Sequence, residues 1–335
     1  MPIMSKSLLA GLFSILSLSA AATEYRVADS IKGPDFRWDY LSVDAVARRL
    51  YMGRAGGVTS IDLDSGKVTP TLLVSKLVHG VAPLGDSGVA AATNGLADSV
   101  TLFRGDSGEV LAEIPAGKGP DCVLYEPATK TILVFNEDSH DVTIIDAASH
   151  DVLATLPLGG QPEFAAADGK GLVYDNIVDK REIAVIDVAA RKIIRHIPLK
   201  SCEEPTGIAY DGASGLVISV CGSGAAKFID AKSGKEVSSL KIGKGGDAVI
   251  LDETRRLVFF PTGASGTLSV ASLNDGGKVA LKQTLKTKTG VRTGALDPAS
   301  GRLYLPSADF LKPSKAGEWP PVAPGSLKIL VVAPD

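Results

Sequence analysis

The sequence predicts an all-β fold, a seven-bladed β-propeller of four-stranded antiparallel blades closed by an N-terminal strand. Three observations predict it. Alternating apolar residues that run into an acid or turn cluster recur as VTSIDLDSGKV (58–68), VTLFRGDSGEV (100–110), VTIIDAASHDV (142–152), IAVIDVAARKI (183–193) and AKFIDAKSGKEV (226–237). Period-two alternation broken by such a cluster is a strand, a tight turn and an antiparallel partner. A second mark keeps the same period: Gly119-Pro120-Asp121, Gln161-Pro162-Glu163 and Glu204-Pro205-Thr206 place their prolines 42 and 43 residues apart. Finally, the C-terminal repeat ends at LKILVVAPD with three strands, one short of a blade.

Taken from the N-terminus, the first element is a leader. Met1–Ala22 carries one lysine, an apolar stretch from Leu8 to Leu18 and an Ala-x-Ala end. That stretch is short for a bilayer and its end suits a signal peptidase, so residues 1–22 read as a cleaved secretory signal and 23–335 as one propeller domain. The expected location is the periplasm, or outside the cell. No later run of about 18 apolar residues could span a membrane. Next comes YRVADSI (25–31), the expected outer strand of the last blade. The repeat follows: an apolar strand after the Pro mark, a turn such as EPATKT or DGASGL, a second strand such as ILVFN or LVISV, a loop, then the hairpin. Four strands in about 42 residues is the length of a propeller blade. His79-Gly80, Gly246-Asp247 and Val291-Arg292 stand at related positions, and RWDYLSVD (37–44) begins the first of the seven blades.

Composition bounds function. With 335 residues, 45% of them hydrophobic, the chain can bury a large core, and a formal charge of −3 without a Lys/Arg block argues against nucleic acid. A monomer is expected. No G-x-S-x-G, P-loop, H-E-x-x-H or C-x-x-C motif occurs, which argues against those hydrolase, nucleotide and redox classes. Of three cysteines, Cys202 precedes the first strand of the fifth blade and Cys221 ends its second, so an antiparallel pair puts them together. A Cys202–Cys221 disulfide with Cys122 as a buried thiol is expected, and two small core cysteines are the alternative.

With blades of the form LVFNEDSHDVTIIDAASHDVLATLPLGGQPEF, the chain resembles the YncE-like, or YVTN-repeat, secreted seven-bladed propellers, over essentially all of its mature length. The resemblance implies architecture and leaves activity open, since such folds serve as binding proteins and as enzymes.

Geometry locates the candidate site. The first strand of each blade lines the axial channel, so residues just after the Pro mark meet at one rim: Trp38, His79, Asp121, Glu163, Thr206, Asp247 and Arg292, with Arg37 and Glu204 nearby. The loops after the second strands add Arg54, Asn94, Asn136, Asn176 and His140. The longest insertion, Ser307 to Ser326, carries Trp319 and is expected to cover the mouth as a lid or a plug. For any single acid the plain alternative is a cap on free backbone amides at a strand start. A structural role would favour uniformity, and the set is not uniform. His150 and His196 read as solvated.

Two functions fit. One is a non-catalytic binding protein taking a small polar molecule, or a periplasmic protein, in the funnel. The other is a metal-dependent hydrolase or lyase of lactonase type, with a divalent cation such as calcium, magnesium or manganese on His79, Asp121, Glu163 and Asp247, and Arg292 gripping a substrate anion.

Overall fold

The computed structural model describes residues 24–274, 278–313, 315 and 320–335. Residues 1–22, the expected leader, and Trp319 lie outside them. Seven four-stranded antiparallel sheets form the ring, and no described residue is helical. Each sheet keeps chain order from the axis outward, as in blade 3: Pro120–Glu126, Thr131–Asn136, Asp141–Asp146 and Val152–Pro157. The last blade departs from this. Ala295–Asp297, Arg302–Ser307 and Lys328–Pro334 supply three strands, and Tyr25–Lys32 joins as the fourth, beside Lys328–Pro334.

Closure is built from more than the ladder. Tyr25 is buried against Phe259, ring centroids 4.8 Å apart, and Gln283 of blade 6 clamps its backbone, accepting from the N–H at 2.9 Å and donating to the C=O at 2.8 Å. The Asp335 N–H donates to the Glu24 carbonyl at 2.9 Å. Third strands run away from the funnel face and fourth strands return to it, so these two residues lie on the opposite face.

Hydrophobic burial is organised between blades rather than within them. The described residues form seven buried clusters, each spanning two neighbouring blades. Leu102 of blade 2 packs with Ile132 and Val134 of blade 3, for instance, and Ile61 of blade 1 with Ile329 of blade 7. Alternate residues of a strand face opposite neighbours, so the period-two pattern is consumed on both faces. Ion pairs add ties at the far face: Arg48 of blade 1 to Asp297 of blade 7, and Arg256 of blade 6 to Asp211 of blade 5.

The recurrent Asp-x-x-Ser-Gly makes the turn between third and fourth strands. Asp62 accepts from both the N–H and the hydroxyl of Ser65, and Gly66 takes φ 70°, which an unbranched backbone adopts without a Cβ clash. His150 holds the same turn position with φ 66°, which accounts for an imidazole there without any site.

Candidate functional site

First strands are irregular where the site forms. In blade 3, Pro120 pairs with Asn136 and Val123 with Val134, so Asp121 and Cys122 together oppose Phe135 alone. The same two-against-one bulge holds Asp39 and Tyr40 in blade 1, Glu163 and Phe164 in blade 4, and Thr206 and Gly207 in blade 5. A bulge twists the strand and re-aims its side chains, here toward the axis. Proline at the preceding position lacks the N–H that a regular ladder would use.

Register from these pairs, and from Gly246 opposite Thr262, Val81 opposite Ala92 and Ala295 opposite Tyr304, assigns one residue per blade to the ring: Asp39, His79, Asp121, Glu163, Thr206, Asp247 and Arg292. Trp38 is not among them. It occupies the proline phase and is buried between blades 1 and 7, its ring 5.9 Å from that of Phe310. Aligning RWDY (37–40) with GPDC (119–122) and QPEF (161–164) puts Trp38 over the prolines and Asp39 over the acids, which is the signal that finds Asp39.

Contacts run round most of the ring. The His79 Nδ1 lies 2.6 Å from Asp39 Oδ2 and 3.1 Å from Asp121 Oδ1. Arg292 donates through Nη2 to Asp39 at 3.2 Å and lies through Nη1 3.1 Å from Asp247. The Tyr40 hydroxyl donates to Glu163 Oε1 at 3.0 Å, and the rings of Tyr40 and Phe164 meet at 4.7 Å as the funnel floor. Both rings also line a pocket of about 410 Å³ together with Leu41, Val81, Val123 and Pro127. Thr206 turns away, donating to the Gly246 carbonyl at 2.9 Å.

Four carboxylates thus share a confined space with one guanidinium and one imidazole. Burial, then the charges of Glu163 and Asp39, pushes Asp121 well above the carboxylate range. Glu163 is pushed up to about 8, chiefly by burial and then by Asp247. Burial raises Asp247 to about 6 against the opposing pull of Arg292. Glu137, whose Oε1 accepts from Gln161 Nε2 at 2.6 Å, adds a fifth negative group close enough to act on Asp121 and Glu163. No sequence mark singled it out.

The second-strand residues serve the scaffold. Arg54 donates to Thr59, to the Pro70 carbonyl and to Thr71, and stacks over Phe36 at 4.5 Å. Asn136 donates to Asp141 and Thr143, and Asn94 to Ser99 and Thr101, each tying its own hairpin. Asn176 reaches the next blade and donates to the carbonyls of Thr206 and Gly207, holding that bulge. His140 is exposed in a turn with φ 57°, and Glu204 is exposed with φ 52°.

For a metal, the structure groups Asp39 with His79 and Asp121: one ligand atom from each lies within 4.8 Å of the others. Glu163 is turned to Tyr40 and Asp247 to Arg292, so neither completes that group. Near the same face, Cys202 and Cys221 are joined by a disulfide, Cα atoms 5.2 Å apart, and Cys122 is a buried free thiol.

Residues 51–169 match the protein family described as YNCE-like beta-propeller. No curated protein matches the chain. Among solved structures, a chain of Kuenenia stuttgartiensis hydrazine synthase is similar at 15% identity and TM-score 0.72, covering 82% of this chain and 94% of that one. A chain of the mitotic checkpoint complex aligns at 14% identity and TM-score 0.76 over 99% of both. The RRP9 WD40 repeats align at 11% identity and TM-score 0.77, over 93% of this chain and 97% of theirs. At these identities the likeness is one of fold.

Proposed function

We propose that this chain is an exported binding protein that takes a small, positively charged organic group in its axial funnel. Export rests on the leader-like Met1–Ala22. The carrying observation is the ring itself, in which Asp39, Asp121, Glu163 and Asp247 outnumber Arg292 and His79. Carboxylates kept protonated by burial and mutual repulsion gain from a cation that lets them ionise. Binding should therefore release protons and tighten as pH rises toward the Glu163 value of about 8.

Calorimetric titration with ethylammonium at pH 8 tests the reading. Asp121→Ala and Asp247→Ala should abolish binding while the melting temperature stays level or rises, since each removes like-charge repulsion. Variants that unfold more easily yet bind normally would make these acids strand-start caps and sink the proposal.

A second reading is favoured by one observation, the Asp39, His79 and Asp121 group. Two carboxylate oxygens and an imidazole nitrogen suit manganese, magnesium or calcium, which would supply a Lewis acid for a hydrolase or lyase. Here Asp39, His79 and Asp121 would hold the metal and Arg292 would hold a substrate anion. Stoichiometric metal that survives purification and is lost in His79→Ala supports it. A chain that stays metal-free after manganese, magnesium and calcium supplementation rejects it.

A further inference from the structure

Beside the acid ring lies a pocket of about 230 Å³ walled by Trp38, Phe310, Pro320, Gly290, Arg37 and Arg292. These residues stand at the first-strand entries of blades 1 and 7 or in the loop after Arg302–Ser307, which puts the pocket at the funnel mouth. Its surface is almost wholly apolar, so the two arginines present their aliphatic stems to it. A dry cavity of about 150 Å³ holds benzene, and this space suits one aromatic group on a short chain. The walls are set in advance. Around Phe310 the Leu311 N–H donates to the Pro321 carbonyl and the Ala323 N–H to the Asp309 carbonyl, both at 2.8 Å. Gly290, at φ 93°, lets the Phe310 side chain close in, since a Cβ there would meet it at 2.5 Å.

Two wall residues favour an aromatic group over an alkyl one. Phe310 stacks on Trp38 and is still 42% exposed, leaving aromatic surface that a third aromatic group can extend. Trp38 is only 5% exposed, yet its indole Nε1–H has no hydrogen-bond partner. The face of an aromatic group accepts an N–H weakly, and an alkyl group does not. Charge selects the other end of the ligand. The guanidinium of Arg292 is engaged with Asp39 at 3.2 Å and Asp247 at 3.1 Å, and Arg37 lies within the field of Asp39. Arg292 belongs to both the pocket wall and the acid ring, so the two spaces are neighbours through one side chain. Beyond it the four carboxylates outnumber the guanidinium and the imidazole. An anionic ligand would add a further carboxylate to that crowd, a neutral one would leave the crowding unrelieved, and an ammonium offsets it.

Resting on the funnel reading above, we propose that the ligand is an arylalkyl ammonium ion, its single aromatic group in the Trp38–Phe310 pocket and its ammonium among the carboxylates of the acid ring. Rigid strands and a tied loop need little rearrangement to accept it.

Calorimetric titration of the purified chain at pH 8 separates the parts. Benzylamine, 2-phenylethylamine and 3-phenylpropylamine vary the tether, and the tightest of them should bind roughly tenfold or more tighter than ethylamine, since burying an aromatic group against aromatic walls is worth at least that factor. It should exceed 2-phenylethanol, which lacks the ammonium, and it should exceed 2-cyclohexylethylamine roughly threefold, which lacks the aromatic face. Phe310→Ala, at an exposed position, should cut the preference for that arylalkylamine over ethylamine roughly fivefold. Asp247→Ala should lose the arylalkylamine as it loses ethylamine. Equal binding of 2-phenylethanol or 2-cyclohexylethylamine, an unchanged preference in Phe310→Ala, or wild-type arylalkylamine affinity in Asp247→Ala would overturn the inference. If ethylamine binds and no arylalkylamine binds tighter, only this inference falls. If neither ethylamine nor any arylalkylamine binds, the funnel reading falls with it.

Discussion

Glu163→Gln isolates the electrostatic tension of the funnel. Glutamine keeps an oxygen to accept from the Tyr40 hydroxyl, which donates to Glu163 Oε1 at 3.0 Å, and removes the titration. In the folded chain Glu163 is raised from 4.5 to about 8, whereas unfolded it titrates near its ordinary value. Between those two values the native state binds more protons than the unfolded one, so stability is fully present below about pH 4.5 and is lost as pH rises through about 8. At about 1.4 kcal/mol per unit the ceiling is on the order of 5 kcal/mol. Water following the carboxylate into an open funnel raises the local dielectric and leaves about 2–3 kcal/mol as the expected loss. Urea unfolding at pH 5 and pH 9, read by fluorescence, should show the wild type falling by about that amount more than Glu163→Gln, in which Asp121 and Asp247, also raised, still titrate. At pH 9 the variant should be the more stable of the two. A wild type with no greater pH slope than the variant, or a variant weaker than wild type at pH 9, would refute the reasoning.

Two other outcomes follow from closure and from the disulfide. Deleting the outer strand 23–32 should bare the Lys328–Pro334 edge and cause aggregation, and Tyr25→Ala alone should cost about 3–5 kcal/mol by emptying its place against Phe259. Unchanged melting of either variant would contradict a ring shut by that strand. Thiol titration in denaturant without reductant should count one thiol, Cys122, and reduction should cost about 3 kcal/mol for a bridge spanning 19 residues. Three free thiols would deny the bridge.

Architecture was readable because it repeats. A strand phase seen once is ambiguous, but the same phase seen at Asp121, Glu163 and Asp247 locates blades, axis and funnel together. Asp39 was lost for a local reason. Tryptophan stands where other blades carry proline, glycine or valine, so the local character of the segment points to Trp38, one residue early. Position alone puts Arg54 and Asn136 at the mouth because their strands end there. Which way a side chain turns at a strand end depends on nearby acceptors such as Pro70 O and Asp141, and spacing carries no record of that. Pairs such as Arg256 with Asp211 were equally hidden, because their partners come from neighbouring blades 45 positions apart and lie off the repeat's marked residues.

The pairing of Glu24 with Asp335 has a practical meaning. Whatever is attached at either end leaves from the side away from the mouth, so a chain anchored by a terminal tag presents its funnel outward. With Glu24 and Asp335 in contact, a short linker between them would make the ring covalently continuous. New termini could then be opened in an exposed third-to-fourth-strand turn such as Asp62–Gly66, giving circular permutants in which the cut moves from blade to blade while the funnel stays whole.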